Sequence, residues 1–105
     1  MIFLITQRLI ETEYGDKQEC LDVNWYNFIS KIKNVQLIPI SYCSNIFPDL
    51  LKFIKIDGII LSGGNDLYSV CPTKVNKLRD DFEIELYKKA ILYSIPVFAT
   101  CRGAQ

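Results

Sequence analysis

Cys101 is the residue with the clearest chemical potential in this sequence. It follows the apolar run Ile95–Ala99 and is followed by Arg102 and Gly103. A cysteine at a sharp turn between a strand and a helix is exposed at the end of a sheet, as a nucleophile requires. The N–H groups at the start of that helix would lower the thiol pKa and could stabilise an oxyanion. The alternative is a buried, unreactive cysteine, the usual state of one that follows an apolar strand.

A pair of glycines forms the second candidate site. The segment Ser62–Asp66 reads SGGND and directly follows the apolar residues Gly58–Leu61. Because Gly63 and Gly64 have no side chains, their backbone can approach a reacting carbonyl and donate an N–H group to it. A flexible turn after a strand explains the same residues without any chemistry.

A charged cluster, Arg79-Asp80-Asp81-Phe82-Glu83, is the third candidate. The favoured interpretation is structural: the acidic residues would occupy the first turn of a helix over Arg79–Tyr93, where the helix dipole stabilises negative charge. The apolar stripe of that helix would contain Phe82, Leu86, Ala90 and Tyr93.

Strands and helices alternate along the chain. Apolar runs predict strands at Met1–Gln7, Val35–Ile40, Gly58–Ser62 and from Ile95 onward. Helices are predicted where Leu21, Trp25, Phe28, Ile29 and Ile32 form a core-facing stripe, and from Pro48 to about Ile54. A loop is predicted for Arg8–Lys17, a surface excursion for Tyr68–Lys77, and a buried setting for the strand Val97–Ala99.

This alternation predicts an α/β fold, a doubly wound parallel sheet with helices on both faces. Ligands of such sheets bind beyond the carboxyl ends of the strands. We therefore expect Gln7-Arg8, Ser62–Asp66 and Cys101–Gln105 to converge on one edge of the sheet.

Composition limits the function further. The 105 residues allow at most one domain, and 12 basic residues balance 12 acidic ones, so nothing favours a nucleic acid or a membrane surface. The four cysteines (Cys20, Cys43, Cys71 and Cys101) form no CxxC pair, and the apolar opening is too short for a signal peptide. We expect reduced thiols in the cytoplasm, with Cys20, Cys43 and Cys71 structural, no metal and no cofactor.

The segments ITQR, DGIILSGGNDLY, RDDFE and PVFATCRGAQ occur in this order along the chain. Together they resemble the class I glutamine amidotransferase superfamily, in particular its stand-alone γ-glutamyl hydrolases of the γ-glutamyl-γ-aminobutyrate hydrolase type (peptidase C26). Ala99, where many members have glycine, and Thr100, where a branched aliphatic is common, depart from the pattern without threatening the turn.

The resemblance implies a flavodoxin-like sheet, with residues 1–105 as the N-terminal part of a single domain. It implies that Cys101 attacks the γ-carbonyl of a glutamine-like substrate, and that the backbone N–H groups of Gly64 and Arg102 form the oxyanion hole. Gly63, Asn65 and Gln105 would contact the substrate.

The catalytic His and Glu of this family lie well downstream of the nucleophile, and this chain contains no histidine. No general base of the usual kind is therefore present. We expect an N-terminal part of a longer protein, inactive by itself, in preference to a catalytically incomplete domain.

The expected function is hydrolysis of a γ-glutamyl amide through a thioester on Cys101. The substrate could be γ-glutamyl-aminobutyrate, another γ-glutamyl metabolite, or the γ-glutamyl-CDP-amidate of bacterial capsule phosphoramidate synthesis. One alternative is an amidotransferase domain that delivers ammonia to a synthetase partner. Another is a non-catalytic binding or scaffold relative, and a homo-oligomer is compatible with each.

Overall fold

The computed structural model describes residues 1–42, 54–62 and 74–99. The described strands are β1 (Ile2–Thr6), β2 (Arg8–Glu11), β3 (Lys17–Cys20), β4 (Gln36–Ile40), β5 (Gly58–Leu61) and β6 (Val97–Ala99). The described helices are α1 (Val23–Ser30) and α2 (Lys74–Leu92). The predicted helix from Pro48 falls almost entirely outside the described residues.

Four strands form a parallel sheet in the order β4-β1-β5-β6. Leu4 of β1 lies opposite Ile38 of β4 on one side and Ile59 of β5 on the other. All four residues of β5 are buried, as expected for a strand in the middle of a parallel sheet. The predicted α/β architecture with a flavodoxin-like parallel sheet is confirmed for the described strands.

One face of this sheet packs against α2. Leu86 and Ala90 of the helix are buried in the same cluster as Leu4 and Ile59 of the sheet. Burial of apolar surface stabilises by about 25 cal/mol per Å², so this interface contributes to the stability of the described elements. Tyr93, which was predicted to extend the buried stripe of the helix, is 43% exposed.

The other face of the sheet carries α1. Asp22 caps this helix by accepting a 2.9 Å hydrogen bond from the backbone N–H of Asn24. Ile29 is buried, but Phe28 is 58% exposed, so the predicted core-facing stripe is only partly covered. An open apolar groove of about 710 Å³ lies here, lined mainly by Trp25, Phe28, Ile29 and Ile32 of the helical stripe and Phe3, Ile60 and Phe98 of the sheet.

The prediction of a loop at Arg8–Lys17 is wrong, because β2 and β3 pair as an antiparallel hairpin. Its turn closes through a 2.8 Å hydrogen bond from the N–H of Thr12 to the carbonyl of Asp16. Gly15 adopts a φ of 84°, which a residue without a side chain tolerates easily. The hairpin is held together by hydrogen bonds between backbone groups, which polar residues form as well as apolar ones. Its sequence therefore lacks the apolar run by which a strand is recognised.

The predicted start of the long helix at Arg79 is also wrong. The helix α2 already begins at Lys74, so it includes Lys74–Lys77 of the predicted surface excursion and has no acidic residue in its first turn. Asp80, Asp81 and Glu83 lie in the helix interior, where the effect of the dipole at the N-terminus has faded. The interpretation of these residues as a helix cap is therefore contradicted.

The prediction that Val97–Ala99 forms a buried strand holds for the strand but not for its burial. Within the described sheet β6 is an edge strand, with Val97 half-buried and Phe98 and Ala99 exposed. The ring of Phe98 packs edge-on against that of Phe3, with centroids 6.0 Å apart. In the described part of the chain, neither helix has the length and apolar character needed to cross a membrane.

Candidate functional site

The carboxyl ends of the described strands meet at one edge of the sheet. Thr6 ends β1 and Ser62 directly follows β5, and the N–H of Ser62 donates a 2.9 Å hydrogen bond to Thr6 Oγ1. The side chain of Gln7 donates a 3.2 Å bond to the carbonyl of Ile40, the last residue of β4. Of the segments predicted to converge, Gln7 and Ser62 lie at this edge, while residues 63–66 and 101–105 lie outside the described residues.

The strands β5 and β6 end side by side at this edge. Leu61 of β5 lies opposite Ala99 of β6 in the parallel register. Adjacent strands of a sheet are about 4.8 Å apart. The chain therefore leaves the sheet toward Gly63 and toward Cys101 from two neighbouring points.

The predicted site residues themselves lie outside the described residues. These are Gly63, Gly64, Asn65, Cys101, Arg102 and Gln105. Their assignment as nucleophile, oxyanion hole and substrate contacts remains a prediction.

A buried polar cluster formed by Thr6, Ser62, Arg79 and Glu83 lies at the same edge. Each of the four residues is at least 93% excluded from solvent, and Arg79 retains only 1% of its accessible surface. Arg79 Nε donates a 2.9 Å charge-assisted hydrogen bond to Glu83 Oε1 one helical turn away. A buried arginine is tolerated only when it is paired and hydrogen-bonded, and the carboxylate supplies both.

This cluster was not predicted, because the charges of RDDFE have the pattern of a helix terminus. A signal was present. Arg79 and Glu83 are four residues apart, and both share a helical face with Leu86 and Ala90. Two opposite charges on the apolar face of a helix indicate a buried pair, whereas Asp81 lies on the exposed side.

The described residues include few other side chains that could act as a nucleophile or bind a metal ion. Cys20 is a free, half-buried thiol at the end of β3. No group of three or more His, Cys, Asp or Glu side chains that could hold a metal ion occurs within residues 1–42, 54–62 and 74–99. Cys43 and Cys71 lie outside those ranges.

The sequence matches the family model for peptidase C26 over residues 4–105. The chain belongs to the peptidase C26 family. A curated relative from Campylobacter jejuni, named gamma-glutamyl-CDP-amidate hydrolase, is 39% identical over the whole chain. A protein of Rickettsia prowazekii, named as glutamine amidotransferase-like, is 33% identical over 80% of the chain.

The alignment covers 52% of the Campylobacter protein and 34% of the Rickettsia protein. The chain thus spans about half the length of the Campylobacter relative. Membership of this family confirms the resemblance found in the sequence.

Proposed function

We propose that the protein to which this chain belongs hydrolyses a γ-glutamyl amide, with Cys101 as the nucleophile. The observation that carries the proposal is the parallel pairing of β5 and β6, with Leu61 opposite Ala99. The segment with the glycine pair follows β5 and the segment with Cys101 follows β6, so both begin beside each other at the carboxyl ends of the strands. Parallel sheets of this kind bind their ligands at that edge. A nucleophile and an oxyanion hole must lie within a few ångströms of one carbonyl group, and adjacent strands meet that need.

In the proposed reaction, the thiolate of Cys101 attacks the γ-carbonyl carbon, and the backbone N–H groups of Gly64 and Arg102 stabilise the resulting oxyanion. The carbon–nitrogen bond then breaks, and the amine leaves with a proton from a general acid. The conjugate base of that acid takes a proton from water as the water attacks the thioester, the carbon–sulfur bond breaks, and glutamate and the thiolate are released. Because the sequence has no histidine, an imidazole acting as this acid and base would come from outside residues 1–105.

The name of the Campylobacter relative favours one substrate class over the others, a γ-glutamyl group linked to a CDP-amidate. That relative aligns with every part of the chain, including both segments assigned to the site. We therefore propose a γ-glutamyl-CDP-amidate as the first substrate to test, followed by simpler γ-glutamyl amides.

The test uses the gene product expressed from its own start codon to its own stop codon. A glutamine analogue that alkylates thiols should add one label to this protein, detected by intact mass. Cys101→Ser should abolish labelling, while Cys20→Ser, which changes another free thiol, should leave it intact. A label that persists in Cys101→Ser removes Cys101 from the mechanism.

The Rickettsia relative supports a second candidate, an amidotransferase that releases ammonia for a synthetase partner. A panel of free glutamine and γ-glutamyl amides with different leaving groups separates the two functions. Hydrolysis of the amides at a higher kcat/KM than free glutamine supports the hydrolase. The reverse order favours the amidotransferase.

A further inference from the structure

The buried polar cluster holds Ser62 at three of its atoms. The N–H of Ser62 donates to Thr6 Oγ1 at 2.9 Å, and Ser62 Oγ donates to the carbonyl of Thr6 at 2.6 Å. Arg79 Nη2 donates to the carbonyl of Ser62 at 2.6 Å and also lies 3.0 Å from Ser62 Oγ. Backbone N–H, backbone carbonyl and side chain are therefore all fixed just after β5 ends.

The remaining bonds of the cluster tie this anchor to α2. Thr6 Oγ1 donates its single proton to Glu83 Oε1 at 3.0 Å, so its lone pairs accept from Ser62 and, at 3.3 Å, from Arg79 Nη2. Glu83 Oε1 also accepts from Arg79 Nε. One helix thus fixes the carboxyl ends of two neighbouring strands through a single ion pair.

Stability alone does not account for an ion pair at this position. Desolvation of two buried charges offsets most of their attraction, and well-packed apolar replacements of such pairs are often as stable or more stable. The neighbouring helical positions Leu86 and Ala90 show that α2 already packs on the sheet with apolar side chains. What an apolar pair cannot supply is a directed hydrogen bond to the Ser62 carbonyl.

We infer that Arg79 is a positioning residue for the proposed hydrolysis, acting through the carbonyl of Ser62. This inference rests on the proposed function. Because the peptide group is planar, a guanidinium that fixes the carbonyl also fixes the plane of the peptide that joins Ser62 to Gly63. Arg79 thereby fixes the direction in which the chain leaves Ser62, and Glu83 holds the guanidinium in place.

The first test is Arg79→Lys in the gene product expressed to its own stop codon. Lysine keeps the positive charge but lacks the planar fork that bonds Glu83 and Ser62 at once. Misplacement of a catalytic group by about 1 Å can cost on the order of 100-fold in rate, so we expect kcat to fall at least tenfold with little change in KM. A kcat within twofold of the wild-type value, measured in a stably folded variant, overturns the inference.

A second variant separates position from stability. Arg79→Met combined with Glu83→Leu replaces the ion pair by apolar side chains of similar volume. We expect the melting temperature of this double variant to lie above that of Arg79→Met alone, because no unpaired carboxylate remains buried. We expect kcat to stay as low as in the single variant, whereas a purely structural ion pair predicts that kcat recovers together with stability.

Glu85→Gln is the matched control for the helix. Glu85 lies on the same helix, is about two-thirds exposed and contacts Lys88 only at 3.9 Å, so kcat and melting temperature should remain at wild-type values. The two proposals fail in different ways. If the wild-type protein hydrolyses no γ-glutamyl amide, the proposed function is wrong. If the wild-type protein is active and the Arg79→Lys variant is equally active, only the proposed role of Arg79 is wrong.

Discussion

At the scale of single residues, Thr6 is the junction of the buried polar cluster. Its hydroxyl contacts Ser62, Arg79 and Glu83, and the residue is 1% exposed. Thr6→Val keeps the shape of the side chain and removes these bonds, among them the one that the buried Ser62 N–H donates to Thr6 Oγ1. We expect a loss of about 1–3 kcal/mol in the free energy of unfolding, measured by urea denaturation with an unchanged slope.

Thr12→Val is the matched control for this change. The Thr12 hydroxyl accepts one 3.2 Å bond from the N–H of Asp16 in the exposed hairpin turn, where water can replace it. The loss should therefore stay below about 1 kcal/mol. Equal losses at the two threonines would mean that burial of the cluster contributes nothing to stability.

The chemistry-bearing residues divide into those that the sequence reveals and those that it hides. Cys101 and the glycine pair stand out because each follows an apolar strand, and the strand positions were predicted correctly. Arg79 and Glu83 are harder to recognise because charged residues are normally exposed, so their spacing of four residues on the face of Leu86 and Ala90 is easily taken for a solvated pair. Their partners, Thr6 and Ser62, are 56 residues apart in the chain and are joined only by the sheet.

At the scale of secondary structure, the start of α2 at Lys74 predicts a different effect of replacing Asp81 than the helix-cap interpretation does. Asp81 is exposed in the helix interior, and alanine has a higher helix propensity than aspartate by up to about 0.7 kcal/mol. Asp81→Ala should therefore raise the free energy of unfolding by a few tenths of a kcal/mol. A residue at the helix N-terminus would instead lose about 0.3–1 kcal/mol on neutralisation, so the sign of the change in a urea melt decides between the two.

The packing of β5 against β1 depends on the absence of a side chain at Gly58. A Cβ atom there would lie 2.5 Å from Phe3 Cδ1 and nearer still to Cε1. Overpacking of this kind costs roughly 1–3 kcal/mol, so Gly58→Ala should lower the free energy of unfolding. Adding Phe3→Leu should restore part of it, giving a coupling of at least about 0.5 kcal/mol in a double-mutant cycle. Strictly additive losses would contradict the contact.

The elements that the sequence predicted well are those with strong apolar patterns. The strands β1, β4 and β5 coincide with apolar runs, and α1 coincides with a stripe at helical spacing. The hairpin of β2 and β3 was missed because Leu9 is its only fully buried apolar residue, so its strands alternate too weakly to be recognised. The burial of β6 was overestimated because an apolar run in the sequence does not show whether the strand lies at the edge or in the centre of a sheet.

At the scale of the whole molecule, the described residues cover the two faces of the sheet to different extents. The face toward α2 has a buried cluster, while the face toward α1 retains an open apolar groove of about 710 Å³. Phe28 and Phe98, which line this groove, are 58% and 54% exposed. Apolar surface of this kind attracts apolar ligands, because their contact area is removed from water.

A protein of residues 1–105 that is folded by circular dichroism should consequently bind an apolar fluorescent dye in this groove. Trp25 is the single tryptophan of the sequence and lines the groove, so energy transfer from Trp25 to the dye reports binding there. Phe28→Asp removes an apolar contact worth about 1.5–3 kcal/mol and adds a charge, so the dissociation constant should rise at least roughly tenfold. Ile84→Asp is the matched control, because Ile84 is 52% exposed on α2 and is not among the residues that line the groove. If both substitutions weaken dye binding equally, the dye is bound by exposed apolar surface in general and the groove has no special role.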